Sequence, residues 1–103
     1  MNIEDLKEKA VQINDLYKIK NLAESKKEST NEDVVLQFVS DVGDLSRYII
    51  KKQRGDDVEN FKETIGRELS ECLAHVLVLS EKYGVNLEES FMKEFNRLNS
   101  ELS

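Results

Sequence analysis

The chain has 103 residues, 39% hydrophobic and 35% charged, with no Pro, no Trp and one Cys, which allows one domain and excludes an internal disulfide framework. A formal net charge of −6 and the lack of a basic stripe argue against generic nucleic-acid binding, whose affinity comes from neutralising phosphates. The longest nearly apolar run, Cys72 to Leu79, is about eight residues where a membrane span needs roughly 20, and no secretory pattern opens the chain, so a cytoplasmic location off the membrane is expected.

The absence of Pro and the scarcity of β-branched alternation point to helices. Leu6, Ala10, Ile13 and Tyr17 recur at steps of three and four and predict a first helix over about residues 3–24. Ser25 to Thr30 has no apolar residue and reads as a loop. Thr30, with Asp33 three residues on, fits an N-cap with a weak capping box. Val34, Val35, Phe38, Val42, Leu45 and Ile49 then carry a second helix to near Gln53, where Gly55 breaks it. A third, from about Asp57, aligns Phe61, Ile65, Leu69, Cys72, Val76 and Leu79, and Gly84 suits the left-handed position past its end. Asn86 and Glu89 open a fourth, with Leu87, Phe91, Phe95, Leu98 and Leu102 on one face. Four amphipathic helices with short polar connections predict an all-α antiparallel bundle. The stripes are wide for so small a domain, so a second copy is expected to cover part of them.

Wheel arithmetic at ~100° per residue places the chemistry. With Val34 at zero, the apolar seam of the second helix spans roughly 0–80°, Asp41 falls at about 340° and Asp44 at about 280°. With Phe61 at zero, the third helix repeats the pattern, Glu68 at about 340° and Glu71 at about 280°. Two helices packed through these seams bring four carboxylates together. Their mutual repulsion and desolvation are offset by a hard cation such as Mg²⁺ or Mn²⁺. The same spacing also suits a solvated acidic border.

The segments Phe38-Val39-Ser40-Asp41-Val42-Gly43-Asp44-Leu45 and Gly66-Arg67-Glu68-Leu69-Ser70-Glu71-Cys72-Leu73-Ala74-His75-Val76-Leu77 resemble the MazG-like branch of the all-α NTP pyrophosphatases, whose signature is EExxE on one helix and ExxD on the next. The likeness continues through the turn at Tyr83–Phe91 and covers roughly residues 31–100. It implies a four-helix bundle assembled as a dimer or tetramer. Four acids hold Mg²⁺ there, and a nucleoside triphosphate is cleaved to pyrophosphate and monophosphate, usually in nucleotide-pool cleaning. By position, Asp41 and Asp44 stand for the last two acids of the first motif, and Glu68 and Glu71 for the second. Lys93 and Asn96 match phosphate-contacting residues of the family's last helix, with Arg97 nearby.

Ser40 departs from the pattern, replacing a Glu linked to activating the attacking water; a hydroxyl is no base near neutral pH. Asp41 and Asp44 are each a methylene shorter than the usual Glu, and Glu71 one longer than the usual Asp. Gln37 and Tyr48 share the acidic ridge and are candidates to touch base or ribose, or plain surface residues. His75, four residues after Glu71, fits a hydrogen bond to a carboxylate, a nucleotide contact or an ordinary half-buried place. Cys72 in the stripe reads as a small hydrophobe. Two functions are expected from these residues: an Mg²⁺-dependent pyrophosphohydrolase, or a degenerate relative that binds nucleotide or protein. A purely structural oligomer is the third alternative.

Overall fold

The computed structural model describes residues 2–25 and 27–103; Met1 and Lys26, the latter within the expected polar connection, lie outside them. Four helices form, with no strand among the described residues: α1 (Ile3–Ser25), α2 (Asn31–Gln53), α3 (Phe61–Lys82) and α4 (Leu87–Leu102). None is long and apolar enough to cross a membrane.

The helix ends follow local chemistry. Extended Thr30 accepts from the Asp33 N–H at 3.3 Å, and the Asp33 carboxylate accepts from the Thr30 N–H at 2.9 Å, completing a capping box. Gly55, at φ 87°, takes the left-handed conformation that stops α2. The third helix begins at Phe61, later than the expected Asp57, because Asn60 at φ 49° turns the chain first; Asn is among the few side chains that tolerate that region. Gly84, at φ 64°, lets the Val85 N–H donate to the Ser80 carbonyl at 2.8 Å and closes α3. The Asn86 side chain then accepts from the Glu89 N–H at 3.1 Å and starts α4.

Packing centres on α3. It lies against α2 over most of its length and against α1 on a second face, whereas α1 and α2 barely meet. Asp41 beside His75 and Lys52 over the Phe61 ring (5.2 Å) show that α2 and α3 run antiparallel. Lys7 on α1 bridges Glu4 at 3.1 Å and Glu81 on α3 at 3.0 Å, which fixes the α1–α3 register. Helix α4 makes only marginal contact with the rest, so three of the four expected helices form the packed body. The radius of gyration, 16.5 Å, accordingly exceeds the roughly 13 Å of a compact 100-residue domain.

The buried seam is rotated from the one that apolar spacing predicts. On α2 the inward residues are Val34, Phe38, Asp41, Leu45 and Tyr48, while Val35, Val42 and Ile49 stay exposed. On α3 Glu68 is buried and Leu69 and Leu73 are exposed. Helix α1 turns Lys7, Ala10, Asn14 and Lys18 towards the body and leaves Leu6, Ile13 and Tyr17 of its expected stripe outside. The apolar arcs exceed what three helices cover, and the acids take the middle of the seam.

Candidate functional site

Because α1 and α2 both lean on α3 and diverge from each other, a cavity of about 390 Å³ opens between them. Asn14, Tyr17, Lys18 and Asn21 form its α1 wall, and Asp33, Gln37 and Asp41 its α2 wall. Glu71 and His75 of α3 form the floor. The size falls within the usual range for small-molecule pockets.

Asp41 is the best-held acid. Only 4% exposed, it accepts from Gln37 Nε2 at 3.3 Å through Oδ1. Its Oδ2 stands 2.8 Å from His75 Nδ1, but off the axis of the N–H bond, so neither atom gains a directed hydrogen bond. His75 is steadied by the Phe38 ring, 6.5 Å between centroids. Glu68, 6% exposed, lies behind the cavity in the α2–α3 seam, and its Oε2 has no partner. Glu71 is exposed to the cavity, yet desolvation, then the charges of Glu68 and Asp41, hold its carboxyl above the usual range. The charges of Glu68 and Asp41 thus reach Glu71, although the three carboxylates do not surround one point. The same surroundings push the Cys72 thiol up, burial first and the three acids after, so it stays protonated and unreactive.

The other expected residues lie elsewhere. Asp44 is half-exposed, outside the cavity lining, and paired with Arg47 at 3.2 Å. Tyr48 lines a separate recess with Lys51 and Arg67, under the Arg47 guanidinium at 5.4 Å. Lys93, Asn96 and Arg97 sit exposed on α4, away from the cavity. Arg97 is already forked between Glu94 and Glu101. Ser40 is exposed on the outer side of α2. Gln37 and His75, by contrast, do join Asp41 and Glu71 around one space.

The α1 wall is what spacing of apolar residues failed to signal. Asn14, Lys18 and Asn21 follow one another at steps of four and three, a polar ridge that a search for apolar seams passes over. The Asn14 Nδ2 is buried without an acceptor. Lys18 is a neighbour of Lys82, and this cation, with partial burial, pulls the Lys82 ammonium below its usual range.

Among the described residues no three His, Cys, Asp or Glu side chains already enclose a space for an ion. The donor chemistry nevertheless fits a hard cation: two buried carboxylate oxygens without hydrogen-bond partners, and a third acid whose proton affinity is raised by burial and then by their charge. No protein family, curated protein or solved structure matches the chain, and the case for a function rests on these side chains.

Proposed function

We propose that the chain is a divalent-cation-dependent nucleoside triphosphate pyrophosphohydrolase of the MazG-like kind, working as a homo-oligomer. The observation that carries this reading is the gathering of Asp41, Glu68 and Glu71 from two helices beside a nucleotide-sized cavity, with buried carboxylate oxygens left unsatisfied. An acidic protein keeps such a cluster at a cost to its stability, so a ligand that compensates it is the economical explanation. Asp41, Glu68 and Glu71 would hold Mg²⁺ or Mn²⁺, with Asp44 joining once parted from Arg47. When bound, such an ion neutralises the triphosphate, polarises its phosphoryl oxygen and acidifies water.

The remaining work falls to the chain. Gln37 holds the Asp41 carboxylate through Oδ1, and His75 stands beside its Oδ2. Glu71 projects from the floor, where it presents its carboxylate to whatever enters the cavity. The diverging walls of α1 and α2 leave room for the base and sugar. Assembly draws on the exposed apolar residues of α2 (Val35, Val42, Ile49) and of α4 (Phe91, Phe95), which a second copy would bury.

The test is release of pyrophosphate from a panel of canonical and modified nucleoside triphosphates with Mg²⁺ or Mn²⁺. Turnover above that of a Glu68→Ala control is expected, and its absence defeats the reading. One observation favours a second reading, a MazG-like protein that binds nucleotide or a partner protein without turnover. Ser40 puts an exposed hydroxyl where the resemblance has a Glu. Tight binding of nucleotide with no pyrophosphate released would decide for it.

A further inference from the structure

We propose that α1 supplies the phosphate-binding wall of the cavity: Lys18, with the amides of Asn14 and Asn21, receives the polyphosphate of the ligand, a role the resemblance gives to Lys93, Asn96 and Arg97. The proposal deepens the pyrophosphohydrolase reading and takes the class of its ligand from it.

Charge distribution around the cavity is the first argument. Asp33, Asp41 and Glu71 face it from α2 and α3, and Lys18 is the one Lys or Arg among the described lining residues. A polyanion entering here meets repulsion on the α2–α3 side, and α1 is where positive charge and N–H donors meet it. Satisfaction of donors is the second. Lys18 forms no ion pair among the described residues, and its charge is felt by another cation, Lys82 of α3. Two neighbouring ammonium groups repel until an anion lies against them. One turn away, the buried Nδ2 of Asn14 has a hydrogen to donate and no acceptor. Three donor-bearing side chains on one ridge, two of them short of acceptors, match the oxygen-rich surface of a phosphate chain.

Helix α4 offers less. Arg97 has committed its guanidinium to Glu94 and Glu101, and α4 contributes no residue to the cavity wall within the chain. The cis-acting donors are those of α1.

The experiment is calorimetric titration of the full chain with two probes, a non-hydrolysable nucleoside triphosphate and inorganic tripolyphosphate, each with and without Mg²⁺. Lys18→Gln is expected to weaken both probes by about tenfold or more, the ordinary worth of a charge-assisted contact. Lys18→Arg, which keeps the charge, should stay within about threefold of wild type, and Lys93→Gln should be unchanged. Asn14→Asp is a second variant that sets a negative charge in the same wall, and it should weaken binding as well. If the wild type binds and Lys18→Gln binds equally, or if Lys93→Gln alone loses the probes, the α1 wall is overturned while the pyrophosphohydrolase reading stands. If the wild type takes tripolyphosphate but no nucleotide, the wall is supported and its ligand is a free polyphosphate. If the wild type takes neither probe, both proposals fall.

Discussion

Replacing Glu68 by Gln should make the metal-free protein more stable while removing its response to Mg²⁺. Glu68 is 6% exposed, its Oε2 has no hydrogen-bond partner, and the charges of Asp41 and Glu71 lie close by. A buried polar atom left unpaired costs about 1–3 kcal/mol, and more when charged. Gln keeps the volume, removes the charge and points an N–H donor at a neighbourhood rich in acceptors. A gain of at least about 1 kcal/mol follows, which in a domain of this size raises the melting temperature by about 4–8 °C. Thermal unfolding followed by circular dichroism in a chelator at neutral pH measures it. Adding Mg²⁺ should then raise the wild type by mass action and leave Glu68→Gln in place. A variant that melts at or below the wild-type temperature in chelator refutes the reasoning, because the carboxylate is then well solvated or paired.

The pH dependence should carry the mark of Glu71. Burial, then Glu68 and Asp41, raise its folded pKa, so the folded chain keeps that proton longer than the unfolded chain. Its contribution to stability is whole below the ordinary carboxylate value and is lost as pH rises through the folded value. In chelator, Glu71→Gln should gain on the wild type across that window. The effect should be small, because Glu71 is largely exposed and screened by water, and parallel melts between about pH 4 and about pH 8 read it; parallel curves throughout would count against the cluster. Assembly is tested by Phe95→Glu. Phe95 is half-exposed and stacks on Phe91 with centroids 4.3 Å apart, so the charge sits in the apolar patch of α4 without opening a core. Sedimentation velocity should show the wild type as a dimer or larger and the variant shifted towards monomer, and an unchanged distribution removes α4 from the interface.

Local signals carried the helices well and the faces poorly. Thr30 with Asp33, Gly55, Gly84 and Asn86 are punctuation read from backbone chemistry, and each sits where its own hydrogen bonds or φ angle require. Which arc of a helix turns inward is decided by neighbours. The spacing of Val34, Phe38, Val42, Leu45 and Ile49 centres the α2 seam on its apolar residues, yet α3 takes the arc that includes Asp41 and Tyr48. The width of the apolar arc is the reason, since it exceeds what the three-helix body covers and its centre is not the direction of the intrachain partner. Asp41, Glu68 and Glu71 were legible as a group because their spacing survives that rotation. Asp44 was not, because Arg47, one turn away, competes for it. The α1 wall was illegible for a different reason: Asn14, Lys18 and Asn21 acquire meaning only once α1 and α2 stand apart on α3.

Placing acids in the middle of the α2–α3 seam has a consequence for how such a chain can change. Directed selection for heat resistance alone would converge on Asp41 and Glu68, since neutral residues there fill the same space without repulsion. Lineages kept only for their shape should therefore drift to leucine or glutamine at these two places. Retention of both acids in a sister sequence would be a signature of use, legible without any assay.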